Sequence, residues 1–311
     1  MVDRAADPRS IVNTILRRIR FYLDEPVDDK YTDNDLLDLV VPSALQEVWG
    51  YLHNTSDNPI VASFTIDVTS GTKEYVLPPS VQNVHALVKL DDSGSWQYEY
   101  KPRSKHNLHG PMWFLEGNNL RWDPKPRTAE TLTIYYTPTP DQTIHYTDGG
   151  VLEADLTTLT LDSEPTVGFL DSRENGYVGC VLRVIGPHVT ESRIISAHDP
   201  WSNSSLDTGE VTVRQAFTRN IAGQVAYEIF PPGSACFTEA IALSAVLKLG
   251  AQRGISQARM RLLMDQFRQA RRTEAQRLEN MMSRTGKSIE RATIDNPELG
   301  LQSMFGSWWT P

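Results

Sequence analysis

The sequence predicts an α+β protein: a four-helix domain made from both chain ends, an inserted antiparallel β region of two small modules, and an extended C-terminal tail. Three observations predict it. Apolar residues recur at helical spacing before residue 58 and again after residue 233. Between these segments the period is two. Neither helical pair carries enough apolar surface for a core of its own, so the two pairs bury most by packing on each other. The boundaries that follow are 1–58 and 233–286 for the helical domain, 59–140 for the first β module, 141–232 for the second, and 287–311 for the tail.

Asp7 is placed to cap a helix whose first position is Pro8, with Ile11, Ile15, Leu16, Ile19 and Leu23 on one face and Pro26 marking its end. Thr32 is the next cap, with Asp35 reaching back as a capping-box variant. Leu36, Leu39, Val40, Ala44, Leu45, Val48, Trp49 and Leu52 then form an apolar stripe, within which Pro42 predicts a kink.

The run FTIDVTSGTKEYVLPP predicts two strands around a Ser70-Gly71 turn. VHALVKL and WQYEYK flank Asp91-Asp92-Ser93-Gly94, a hairpin signal. MWFLEGNNLRWDP is a further hairpin, with Gly117, Asn118 and Asn119 supplying positive φ, and TLTIYYTP is another alternating run. Such even spacing implies a sandwich or small barrel. Residues 141–210 carry twelve acidic side chains and three arginines, with strands in LTTLTL, YVGCVLRVIG, TESRIISA and GEVTVRQAF. AGQVAYEIFPP closes the β region.

Phe237–Leu249 is apolar nearly all round, which marks a buried helix. Gly250 and Gly254 bracket a turn, and Ser256 caps a long helix running to about Thr285. Its stripe of Met260, Leu263, Met264, Phe267 and Ala270 thins beyond Ala270, where Arg271, Arg272 and Arg277 follow Arg268. Residues 259–291 hold nine Arg/Lys against four Asp/Glu. The tail ends in Phe305, Trp308 and Trp309, aromatics that cost solubility unless covered.

Composition narrows the function. Of 311 residues, 30 are Lys or Arg and 39 are Asp or Glu, a net charge of -9, which argues against a nucleic-acid coat or a polybasic membrane binder. MVDRAADPRS carries charges where a signal peptide needs an apolar segment, and Phe237–Leu249 is too short to span a bilayer. Cys180 and Cys236 have neither metal-ligand spacing nor a disulfide framework.

Candidate chemistry is sparse. Ser283–Ser288 (SRTGKS) imitates the end of a phosphate-binding loop, but Met281 stands where the motif needs glycine, and a helix precedes it instead of a strand. His106 and His109 lack an acidic or cysteine partner nearby. Thr32–Asp35 opens like a calcium loop without its later Gly and Glu. Glu116 and Asp123 are a conceivable carboxylate pair for glycoside hydrolysis, with surface solvation the default. Trp96, Tyr98, Tyr100, Trp113 and Trp122 read first as sheet core and second as a binding platform. The expectation is a protein without catalytic, cofactor-binding or metal residues.

The layout resembles the head-to-tail adaptor, or connector, proteins of tailed bacteriophages. IVNTILRRIRFYLDEP and YTDNDLLDLVVPSALQEVWGYL are similar to that family's paired N-terminal helices. TSGTKEYVLPPSVQNVHALVKLDD, GPMWFLEGNNLRWDPKP and LTIYYTPTP resemble its β module, and CFTEAIALSAVLKLGAQRGISQARMRLLMDQFRQARR its C-terminal helical pair. GYVGCVLRVIG, SRIISAHD and VTVRQAFTRNIAGQVAYEIFPP are similar to a small β module recurring in phage tail and neck proteins. The resemblance implies a virion structural protein of the neck, made in the host cytoplasm. It implies a homo-oligomeric ring, commonly of about twelve copies, with the portal above, a tail or nozzle component below, and genomic DNA passing through without specific binding. No cofactor, membrane or catalysis is implied. On this reading Arg268, Arg271, Arg272, Arg277, Phe305, Trp308 and Trp309 bind the portal, and the second β module is an insertion the ring does not need for closure. The competing reading is a tail-fibre protein with a receptor- or carbohydrate-binding β module, and a third is a wall-degrading hydrolase.

Overall fold

The first helix begins where a serine closes it. Helix α1 (Ile11–Leu23) starts behind Ser10, whose extended backbone and hydroxyl, accepting from the Asn13 N–H, make it the cap. The structure, a computed structural model, describes residues 10–25, 31–55, 62–90, 96–100, 102, 112–123, 126–138, 145–147, 151–161, 173–185, 190–203, 208–218, 221, 226–231, 234–250 and 252–284. Asp7 and Pro8, expected to start this helix, lie outside them, and the start falls at Ser10 instead. Asp24, in the left-handed region at φ 59°, ends the helix just before Pro26.

Thr32 and Asp35 form the expected capping box at α2 (Asp33–Asp35). A π-helical turn, Leu36–Val40, follows and leads into α3 (Val41–Thr55). Pro42 has no N–H to donate, and the ladder widens before it: the Val41 N–H reaches five residues back to the Leu36 carbonyl. That extra residue shifts the helical phase. Leu39, placed on the apolar stripe by its spacing, is therefore 73% exposed, while Leu36, Leu37 and Val40 are buried.

At the other end a short 3-10 turn, Ser234–Phe237, opens α4 (Thr238–Gly250). Gly254, at φ 66°, makes the turn into α5 (Gln257–Arg284), where the Ser256 hydroxyl accepts from the Arg259 N–H at 3.4 Å. α4 is the central helix, and α1, α3 and α5 all pack on it. One apolar cluster joins Ile15 and Ile19 of α1, Leu45 and Val48 of α3, Ile241 and Val246 of α4, and Leu263 and Phe267 of α5. Met264, counted with the α5 stripe in the sequence, faces outward at 39% exposure.

The strands form three antiparallel sheets. β1 (Ala62–Val68), β3 (Val81–Leu90), β4 (Trp96–Tyr100) and β7 (Glu130–Pro138) make a four-stranded sheet in the order β1-β7-β3-β4. β2 (Glu74–Val76), β5 (Met112–Glu116) and β6 (Asn119–Asp123) make a three-stranded one in the order β2-β6-β5. The Ser70-Gly71 turn does not close a hairpin. β1 pairs with β7 and β2 with β6, and Gly71 donates to the Pro126 carbonyl, so the turn passes the chain between sheets. In the β5–β6 hairpin the positive φ belongs to Gly117 alone; Asn118 instead donates its side-chain amide to the Leu77 carbonyl, and Asn119 already begins β6.

β8 (His145–Thr147), β9 (Val151–Ala154), β10 (Thr158–Leu161), β11 (Val181–Ile185), β12 (Thr190–Asn203), β13 (Thr208–Val213) and β14 (Ala226–Phe230) form a seven-stranded sheet, ordered β8-β14-β11-β12-β13-β10-β9. Tyr177, Leu182, Ile195, Val211 and Ile229 fill a core on one face. On the other, Val181, Ile185 and Phe230 join the helical cluster. Burying a side chain of that size contributes about 1.5–3 kcal/mol, so these three make the sheet part of the helices' core. The second β module, expected as an insertion the ring does not need for closure, thus shares core with the helices.

The seven- and four-stranded sheets also interlock. Gly179 sits at φ 83°, and a Cβ there would collide with the Tyr136 hydroxyl. Tyr136 and Ser80 both donate to the Val178 carbonyl, at 3.2 and 2.7 Å, and Arg214 donates to Ser63 at 2.8 Å.

Candidate interaction site

α5 divides into two halves by what holds it. Leu263 and Phe267 anchor the first to the core. Past them the contacts are polar. The Arg271 guanidinium lies over the Tyr51 ring of α3 at 4.2 Å and over Phe267 at 5.2 Å. Glu274 is buried, and its carboxylate accepts from the Glu239 and Ala240 N–H groups at 3.2 and 3.1 Å, so it closes the start of α4. Ala275 still packs on the cluster. The helix therefore stays on the bundle beyond Ala270, where its apolar stripe thins.

Of the arginines singled out in the sequence, Arg268, Arg272 and Arg277 are exposed, and Arg268 makes a surface pair with Asp265 at 3.5 Å. Arg271 is held by aromatic rings of its own chain. Phe305, Trp308 and Trp309 lie outside the described residues, as do His106, His109 and the loop-like Lys287.

Charge around the start of α4 is shared among three helices. Arg18 of α1 pairs with Glu239 at 2.9 Å and donates to Thr238 at 2.7 Å. Tyr22 donates to Glu239, and burial together with that bond pushes its phenol up to about 12. Burial, more than the Glu274 charge, pushes the Cys236 thiol up to about 12. Glu274 itself rises to about 7, because burial outweighs its two amide donors and the attraction of Arg18.

A second carboxylate works the same way at the start of α1. Glu228 of β14 is fully buried and accepts from the Ser10 hydroxyl at 2.7 Å, the Ile11 N–H at 2.9 Å and the Val12 N–H at 3.2 Å. Arg183 stands opposite it in the β11–β14 register, its Nε 3.7 Å away. Burial raises the Glu228 carboxyl, while Ile11, Arg183, Ser10 and Val12 pull it back. Neither carboxylate was singled out from the sequence. The signals are there: Glu274 falls eleven residues after Leu263, on the line through Phe267 and Ala270, and Glu228 shares a strand face with Ala226 and Phe230.

The aromatic group of the first β region is largely core. Trp113 and Trp122 are buried; Trp113 donates to the Tyr100 carbonyl at 2.7 Å, and the Tyr100 ring meets Trp122 edge-on at 4.9 Å. The side chains of Trp96 and Tyr98 lie outside what is described. Glu116 and Asp123 fall at opposite ends of the β5–β6 ladder, and Glu116 pairs with Arg121, so they form no acid–base pair. No cluster of three or more metal-ligating side chains occurs among the described residues, and both cysteines are free thiols. No helix among the described residues is long and apolar enough to cross a membrane.

No curated protein matches the chain. Residues 12–164, just under half of the chain, span α1 to β10 and stop short of β11, β14, α4 and α5, which complete the core. Over those residues the sequence matches the model of the SU10 adaptor protein family, and its likeness to phage head-to-tail adaptors is thereby shown.

Proposed function

We propose that the chain is a structural protein of the virion neck, forming a ring between portal and tail that extends the DNA channel and joins the filled head to the tail. The observation that carries this reading is the adaptor-family match over residues 12–164. It supports an adaptor role and a place among virion components, and it gives no support to a tail-fibre or sugar-binding role. The ring, commonly of about twelve copies, needs a head-to-tail interface that closes. A net charge of -9 suits a channel that DNA slides through, since each phosphate neutralised adds to a salt-dependent grip.

On this reading residues 1–58 and 233–286 are the adaptor domain, 59–140 and 141–232 its β modules and 287–311 a tail. The exposed Arg268, Arg272 and Arg277 meet acidic groups of the portal, and Phe305, Trp308 and Trp309 fill pockets on it. Arg271 joins them only by leaving Tyr51. The chain performs no catalysis. Truncation after Gly286 tests the assignment. The shortened protein is expected to fold, since the described core ends before that point, and to lose attachment to filled heads. Undiminished attachment contradicts the assignment.

A further inference from the structure

We propose that Glu274 is a proton-operated clasp that fastens the outer half of α5 to the start of α4. The geometry supplies the clasp. Leu263 and Phe267 fix the inner half of α5 in the core, whereas the outer half is held by the Arg271–Tyr51 stack, by Ala275 and by one buried carboxylate on two backbone N–H groups. Beyond it Arg277 is exposed.

The groups facing Glu274 decide how it responds to protons. Arg18 of α1 and Glu239 of α4 act on it and it acts on Cys236 of the 3-10 turn, while Tyr22 of α1 is bonded to Glu239 and Tyr51 of α3 lies under Arg271. Arg18 is committed to Glu239 and Thr238, and Glu239 repels a second negative charge. The ionised Glu274 thus has two amide donors but no ion pair of its own among the described residues. Burial is the larger effect and holds its carboxyl near 7, against an ordinary 4.5 in water. In the closed clasp the acid is neutral in mildly acidic solution, and its carbonyl oxygen accepts from one of the two N–H groups, which reach different oxygens. Between about 4.5 and about 7 opening releases the proton to water, so the open state gains population as pH rises, and the gain levels off above about 7, where the closed acid ionises too. The same linkage sets the sign: the closed state binds the proton more tightly, so proton loss favours opening.

Hydrogen exchange by mass spectrometry on the full chain tests this, read as protection factors over the first turn of α4 and over 270–284 of α5. Between about pH 5.5 and about pH 8 protection in the wild type is expected to fall roughly tenfold or more. E274Q, a permanent mimic of the neutral acid, is expected to remove that fall. E274A is expected to lower protection at both pH values. Protection in the wild type that does not change with pH overturns the proposal, and so does an unchanged pH dependence in E274Q.

Discussion

Glu228 and Glu274 each close a helix from outside it, yet the two regions bury a carboxylate differently. Glu228 reaches α1 from a central strand, with Arg183 opposite it and three donors around it. Glu274 reaches α4 from a neighbouring helix, with two amide donors, while Arg18, which also acts on it, pairs with Glu239. The first is a fixed joint between helices and sheet. The second holds the segment of α5 beyond Phe267 together with the Arg271–Tyr51 stack and Ala275. Burial raises both carboxyls; what separates the two regions is the number of donors and the cation beside each.

The largest expected effect lies at the fixed joint. E228A removes the carboxylate opposite Arg183 and the acceptor at the start of α1, and urea unfolding is expected to show a loss of about 3–5 kcal/mol. Replacing both Glu228 and Arg183 by apolar residues of similar volume is expected to cost much less. Equal losses would show that the donors at α1, not the ion pair, matter. Next comes the joint between sheets. G179A places a Cβ at φ 83° against the Tyr136 hydroxyl, and a loss of about 2–4 kcal/mol is expected in the same assay. Partial rescue by Y136F would assign part of the cost to the contact.

E274A ranks below these, at about 1–2 kcal/mol near pH 6. Its pH dependence sharpens the contrast. Between 4.5 and about 7 the folded chain keeps a proton that the unfolded chain has released, so this group's contribution to stability falls as pH rises and levels off above 7. E274Q is expected to flatten that part of the curve. T32A, which breaks a capping box at the surface, is expected to have the smallest effect in the same unfolding assay. A T32A loss as large as that of E228A would break the distinction between local and long-range caps.

What was legible in the sequence is what local chemistry decides. Thr32 and Asp35, Ser256, the β3–β4 and β5–β6 hairpins and the all-round apolar α4 are read from spacing and side-chain type. Leu39 was misplaced because the proline's missing N–H is absorbed by a π turn that changes the helical phase. The Ser70-Gly71 turn looked like a hairpin because strand partnership is a long-range property. Glu228 and Glu274 were invisible as caps for the same reason: each serves a helix about 35 or more than 200 residues away in sequence. The tail aromatics assigned to the portal remain a reading of the sequence.

The central claim is that the chain is an assembling neck component, and its native mass tests this most directly. Measured on the full-length protein alone and mixed with a portal, the mass is expected to correspond to a closed ring, of about twelve copies, and to rise to a ring–portal complex on mixing. A trimer, or a monomer that leaves the portal's mass unchanged, would contradict the account.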